Sequence, residues 1–456
     1  MRKLTLLTFI ILLSLAWSAK AEEKGKKTGK KGITIGLGKK HSNNTDDDST
    51  AAADDGKIIF SGYLDTYYNH AFNNPASGSL LGTGGAGRAF DRTVDQFSLG
   101  LVQLKTTYTS SKIDIVADLT FGPNAELGNF GNVNNQAYPN SGGVSLYTNP
   151  RFANLYGTSA AIKQAYGTWK ATSKLSFTVG QFGTHIGYEV IDAPINYNYS
   201  LSNLFNNGPF YHVGAKVNYA FSDRFAVMAG LVNNWDNLLD NNKTKDIIAQ
   251  VYVKPVDGWN VYFNYIGGNG DDTYPNKAYL TGGGAAGSFT GVLNNNNFVG
   301  KSNYNRHLFD LTTGYQVTDK LYFGLNAAYG FYKGDDAAAD SAIQDETLTR
   351  GGTARHVLDW GGVALYSNYQ ITDWFGIGVR AEHFEDSYGV RYIGGVLGGV
   401  INNSLTITAP ITLASGHFQL KPEFRWDHSA NMAYEDSNGM PKADQATLGL
   451  AAIFKW

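Results

Sequence analysis

From residue 57 onward the chain alternates apolar and polar positions with a period of two, the mark of strands buried on one face only. Ile113, Ile115, Ala117, Leu119 and Phe121 alternate with Asp114, Val116, Asp118 and Thr120. Leu321, Phe323, Leu325, Ala327, Tyr329 and Phe331 alternate with Tyr322, Gly324, Asn326, Ala328 and Gly330, and Leu420, Pro422, Phe424 and Trp426 with Gln419, Lys421, Glu423, Arg425 and Asp427. No helical period of any length interrupts this. The pattern predicts about sixteen strands (fourteen to eighteen), near 57–70, 97–108, 112–122, 160–171, 175–187, 211–221, 224–235, 245–255, 259–268, 305–317, 320–332, 356–370, 374–385, 403–413, 417–428 and 444–456. At roughly 10 to 14 residues they exceed the usual five or six and match the roughly 9 to 11 that cross a bilayer at a tilt.

The links alternate as well. Thr109-Ser110-Ser111, Thr172-Ser173-Lys174, Ser222-Asp223, Val256-Asp257-Gly258, Thr318-Asp319, Ile371-Thr372-Asp373 and Ala414-Ser415-Gly416 are tight, and every other link is long and rich in Gly, Asn and Asp. Tight turns on one rim and long loops on the other are the rhythm of a transmembrane antiparallel up-and-down β-barrel. Tryptophan placement predicts two girdles in the headgroup layers. Trp169, Trp259, Trp374 and Trp456 fall on the short-turn side, Trp235, Trp360 and Trp426 on the long-loop side.

The N-terminus carries Arg2 and Lys3, an apolar run from Leu4 to Trp17, and Ala19-Lys20-Ala21. At about 14 residues that run is too short to span a membrane, and it reads as a signal peptide (1–21) for Sec export, cleaved after Ala21. Residues 22–56 crowd Lys24, Lys26, Lys27, Lys30 and Lys31 ahead of Asp46, Asp47, Asp48, Asp54 and Asp55, a charged leader expected to stay flexible. The barrel then occupies 57–456. The 456 residues include no cysteine, so the exported chain needs no disulfides. Loss of Arg2, Lys3 and Lys20 moves the formal charge from −2 to about −5, which speaks against nucleic-acid binding. With 28 Tyr, 25 Phe and 54 Gly yet a negative mean hydropathy, the composition fits a sheet with one apolar face.

The last strand carries Leu448, Leu450, Ala452, Phe454 and Trp456 on one face, and its terminal aromatic resembles the signal read by the outer-membrane assembly machinery of Gram-negative bacteria. Ser61-Gly62-Tyr63-Leu64-Asp65-Thr66-Tyr67-Tyr68, Gln164-Ala165-Tyr166, Gly180-Gln181-Phe182, His185-Ile186-Gly187-Tyr188-Glu189, Gly208-Pro209-Phe210-Tyr211, Gly214-Ala215-Lys216, Arg380-Ala381-Glu382, Pro422-Glu423-Phe424-Arg425-Trp426-Asp427 and Asp444-Gln445 follow in order. Together they resemble the OmpL-like β-barrel porins over most of 57–456. The chain departs from that pattern at Gln164, where such proteins often carry Glu, and in its long leader. The resemblance implies a barrel in the Gram-negative outer membrane, in contact with membrane lipid and lipopolysaccharide.

In such a barrel the polar face points inward. The pore-lining candidates are Asp65, Asp114, Asp118, Lys163, Lys216, Asp310, Arg380, Glu382, Lys421, Glu423, Arg425 and Asp427. They can form an internal ion-pair network, set up a transverse field in a water-filled pore, or do both. About sixteen strands leave an aqueous channel, whereas eight would be filled by side chains. One of the links 123–159 and 269–304 is expected to fold back as a constriction, the other reading being a surface loop. The nine histidines show no tight metal spacing, His185 reads as a structural rim residue, and Gly82 to Gly87 lacks the Lys-Ser or Lys-Thr of a phosphate loop. No catalytic residue, metal or cofactor is expected. The reading is a passive porin for small hydrophilic solutes, of a size that often forms homotrimers. The alternatives are a plugged surface receptor or adhesin and an outer-membrane barrel hydrolase.

Overall fold

A computed structural model describes residues 33–36, 56–82, 87–129, 159, 161–238, 240, 244–268, 305–333, 357–386, 391 and 400–456. Sixteen antiparallel strands form one sheet. They are β1 (Lys57–Ala71), β2 (Phe97–Thr109), β3 (Ile113–Phe121), β4 (Ile162–Lys170), β5 (Leu175–Gly183), β6 (Tyr211–Ser222), β7 (Phe225–Val232) and β8 (Asp246–Val253). The second half is β9 (Trp259–Gly268), β10 (Asn305–Gln316), β11 (Leu321–Lys333), β12 (Val357–Gln370), β13 (Gly376–Asp386), β14 (Val400–Thr408), β15 (Phe418–Ser429) and β16 (Asp444–Lys455). Past Ala409-Pro410, β14 resumes as Ile411–Leu413 on the same partner, β15, because proline has no amide to keep the ladder unbroken. Each strand pairs with the next, and β16 returns to pair with β1 from Tyr63↔Lys455 to Ala71↔Thr447. That pairing closes the barrel and leaves no strand edge to lipid. Within the expected leader, Ile33–Gly36 forms a short strand against the lower end of β1, Ile33↔Phe60 to Gly36↔Lys57.

Burial follows the sequence alternation. In β3 the odd-numbered residues are exposed, and Val116, Asp118 and Thr120 are buried. In β13 Gly376, Gly378, Arg380, Glu382, Phe384 and Asp386 all face inward. The short-turn rim carries outward aromatics in contact pairs, Trp169 on Phe177, Phe221 between Tyr219 and Phe225, and Phe418 on Phe454. Trp374 and Trp456 are exposed beside them.

The tryptophan girdle expected at the long-loop rim is corrected. Trp426 faces outward, but Trp235 is 4% exposed and Trp360 3%, their rings 6.1 Å apart inside the barrel. Arg306 lies over Trp235 at 3.9 Å, so a cation–π contact replaces the headgroup environment. Exposed Phe97, Phe121, Phe309 and Tyr329 form the outward aromatic band at this rim.

Two bulges re-aim side chains. Between Leu64 and Thr66 the register with β2 shifts, and the displaced Leu101 amide donates to the Asp65 carboxylate at 2.8 Å. Between Asp118 and Leu119 a second shift brings in Lys163, 3.8 Å from Asp118.

Leu365 faces outward near the middle of β12, so Leu365→Arg is predicted to destabilise the barrel by about 2–4 kcal/mol. Reversible urea unfolding in lipid vesicles measures it; a change below about 0.5 kcal/mol would place this face away from lipid.

Candidate functional site: an inward loop clamped by wall carboxylates

The link 184–210, between β5 and β6, enters the barrel. The fifth strand, expected to run to 187, stops at Gly183, and the chain turns inward through Gly187 at φ +91, a left-handed conformation suited to glycine. The Gly187 amide donates to Asp310 of β10 at 3.1 Å, and Asn264 and Asn326 donate to the same carboxylate. His185 faces into the barrel near the long-loop end of the wall, its Nε2 on the Tyr265 carbonyl at 3.0 Å and its ring 5.7 Å from that of His212. Burial lowers its pKa to about 4, so the ring is neutral near pH 7 and donates from Nε2.

Farther along, wall carboxylates take up the backbone amides of an irregular segment. Glu423 accepts from the Tyr199 amide at 2.7 Å and the Ser200 amide at 3.1 Å. Glu382 accepts from the Asn203 and Leu204 amides, both at 2.9 Å, where the short helix α1 (Asn203–Asn206) begins. Glu189, within the loop, accepts from the Ser202 amide at 2.7 Å. Wall cations take the carbonyls. Arg380 donates to Ser200 O at 2.6 Å and Arg425 to Leu201 O at 2.8 Å, while Lys421 donates to Ala193 O at 2.6 Å and also to Asn196 O. Arg380 also pairs with Glu189 at 2.5 Å, and the Tyr199 hydroxyl donates to Asp65 at 2.6 Å. These groups are all buried. A loop in the lumen cannot leave its N–H and C=O groups bare, and charged partners satisfy them at about 1.5–3 kcal/mol each.

Apolar contacts anchor the loop at two further places. Ile186 and Leu204 join a cluster with Val232, Ile248, Ile266, Leu308 and Phe384. Ala193 and Tyr199 join Tyr63, Tyr67, Leu101 and Ile453, with Ile191 packed against them. At the far end Asp236 accepts from the Phe210 and Tyr211 amides at 2.6 and 3.0 Å, and burial raises its pKa to about 6. Phe90, from the link 72–96, reaches in to meet Phe205 and Phe210 at 5.7 and 5.6 Å. Arg88 in the same link binds Asp91 at 2.8 Å and lies 3.7 Å from Asp427; burial raises the Asp91 pKa, with Arg88 opposing.

The sequence candidates lie on the inner face but divide in use. Asp65, Asp310, Arg380, Glu382, Lys421, Glu423 and Arg425 hold the loop. Along β15 the ion-pair network expected of these charges is limited, among the described residues, to Arg425 with Asp427 at 2.8 Å, because Lys421 and Glu423 bind loop backbone instead. Asp114 pairs with Lys170 at 2.6 Å, and Lys163 joins Asp118 to Asp192 of the loop, 2.5 Å from the latter. Lys216 stands apart, its Nζ 4.3 Å from the Phe182 ring.

Sequence reasoning missed Glu189, Asp192, Tyr199 and Asn203. The signal was present, since 184–210 carries Ile186, Val190, Ile191, Ile195, Leu201 and Leu204 where other long links are glycine- and asparagine-rich. Of the two links expected to constrict, 123–159 is described only at 123–129 and 159, and 269–304 lies outside the described residues.

Glu382→Ala removes the acceptor for two buried amides and is predicted to cost about 3–5 kcal/mol, with new proteolytic cleavage between 188 and 206 read by mass spectrometry. A variant as resistant as the parent would show that the clamp does not hold the loop.

Solved outer-membrane barrels are similar to this chain. The trimer form of OmpT, an outer membrane protein of Vibrio cholerae, matches with TM-score 0.50 and 12% identity, covering 88% of this chain and 99% of that one. The outer membrane channel DcaP of Acinetobacter baumannii matches at 0.47 and 10%, covering 88% and 97%. The anion-selective porin from Comamonas acidovorans matches at 0.48 and 9%, covering 88% and 100%. No curated protein matches in sequence. The family described as "Putative beta-barrel porin-2, OmpL-like" matches residues 57–456, the whole barrel with both of its closing strands, and the chain belongs to that family of outer-membrane porins.

Proposed function

We propose that the protein is a passive diffusion porin in which small hydrophilic solutes pass between the 184–210 loop and the wall opposite it. The observation that carries this reading is the polar space left open below the loop, toward the short-turn rim. The loop's polar clamps come chiefly from β1, β10 and β13–β15, and nearer the long-loop rim Lys163 of β4 and the apolar side chains of β7–β9 also hold it, so it crosses the upper lumen. Below it, Lys170, Ser176, Asn218, Gln250 and Tyr252 line a cavity of about 520 Å³ reaching the short-turn rim. A water-filled path needs such a polar wall, and a loop fixed in the lumen supplies a constriction of defined width.

In this reading the wall cations and carboxylates spent on the loop shape the pore more than they face solute. Lys216, without a carboxylate partner among the described residues, is left to act on passing ions. The protein reaches the outer membrane through Sec export, cleavage after Ala21 and insertion guided by the strand ending at Trp456. It meets lipopolysaccharide at the outer rim and assembles as a homotrimer. No catalytic step belongs to the reading. A plugged receptor is the second reading, favoured by the apolar cluster and by the inward contacts of Phe90 with the loop.

Refolded protein in planar bilayers is predicted to give stepwise currents. Lys216→Glu is predicted to shift the reversal potential in a salt gradient toward cations, whereas Arg425→Gln chiefly lowers stability. A folded barrel without current would sink the diffusion reading in favour of the plugged one.

A further inference from the structure

The inner wall carries one feature that the loop clamp does not use. Across β12, β11, β10 and β9, one row of the ladder reads Tyr366, Gly324, Gly314 and Asn260. The two glycines leave a shallow gap in the wall, and tyrosine rings lie over it. Tyr188 of the loop covers Gly324, where a β-carbon would meet its hydroxyl at 2.4 Å, and stacks on Tyr366 at 4.2 Å. Tyr322 covers Gly314, where a β-carbon would meet its hydroxyl at 1.8 Å. Tyr197 of the loop stands 6.0 Å from the Tyr322 ring, and Tyr252 and Tyr262 pair across β8 and β9 at 5.0 Å with planes 33° apart.

The row thus runs from beneath the loop to the open side of the lumen, in the half nearer the short-turn rim. Tyr197 is 40% exposed, and Tyr252, Tyr262 and Tyr322 are half-buried, so ring surface remains toward the lumen. Amides accompany the rings. Asn260 accepts from the Tyr252 hydroxyl at 2.8 Å, and Gln250 donates to Asn264 at 2.8 Å. The charged groups on the inner wall beside it are already engaged, Asp310 by Asn264, Asn326 and the Gly187 amide, and Arg380 by Glu189.

We propose that this tyrosine shelf is a binding site for neutral carbohydrate. It rests on the porin reading and names the solute class that reading leaves open. A pyranose ring presents a flat C–H face and a rim of hydroxyls. Tyrosine rings offer an apolar surface of matching size with a polar edge, and side-chain amides both donate and accept at the rim. An anionic solute would meet lysines only at the short-turn edge of the cavity, Lys112, Lys170 and Lys174, and among the described residues no cation stacks on the shelf rings. A purely apolar solute would leave the amides unpaired, which disfavours it.

Full-length refolded protein is tested in planar bilayers with maltotriose and cellotriose, and an uncharged polyethylene glycol of equal mass as size control. The expected result is saturable interruption of the current by at least one trisaccharide and only proportional, unsaturable reduction by the polymer. Tyr252→Leu with Tyr262→Leu should weaken the saccharide at least tenfold, while Tyr252→Phe with Tyr262→Phe keeps most of the effect. Calorimetric titration of the detergent-folded protein with the same sugars reads the shelf independently of conduction. Trisaccharides that interrupt no more than the polymer and give no heat, or affinity unchanged in the double leucine variant, would overturn the shelf. Absence of current alone would overturn only the diffusion reading.

Discussion

The need of every backbone amide for a partner is the constraint on which the rest of the structure depends. In the wall, strand pairing meets it, and the β1–β16 ladder completes the set so that lipid sees no open edge. In the lumen the same constraint returns for an irregular segment that has no strand beside it. There the partners are side chains. Glu423 and Glu382 each take two consecutive amides, and Arg380, Arg425 and Lys421 take carbonyls of the same segment. The charged inner wall thereby becomes a template that fixes the loop path.

This arrangement explains why so many charges are tolerated out of water. An isolated buried ion is costly, but each of these is paired or multiply hydrogen-bonded. It also changes what the charges do. A carboxylate occupied by two amides projects less field into the lumen than a bare one. In the proposed porin Lys216, its Nζ over the Phe182 ring and without a carboxylate partner among the described residues, is the more direct influence on solute.

Most of the barrel was legible in the sequence because its signals are local. Alternation in β3, β11 and β15 sets which residues face lipid, and short links such as Thr109-Ser110-Ser111 mark the turns. Trp235 and Trp360 misled because a strand-end tryptophan has two sides to choose from, and contacts distant in sequence, Arg306 and Arg391 on the rings, decide. The loop path was hidden for the same reason. Asp65 and Tyr199, or Glu382 and Asn203, lie more than a hundred residues apart, and no local pattern joins them. The candidate charges were legible as inward-facing, but their division between clamp and open wall was not.

The most direct test uses the absence of cysteine. Val190, Ile195 and Tyr197 are the exposed side chains on the lumen face of the loop, and Val179 is exposed on the outer face of β5. A single cysteine at Ile195, modified by a charged membrane-impermeant thiosulfonate during recording, is predicted to lower conductance in discrete steps, one per barrel. The same reagent on a cysteine at Val179 is predicted to leave it unchanged. Full modification at Ile195 with no change in current would contradict the central claim that this loop constricts the path.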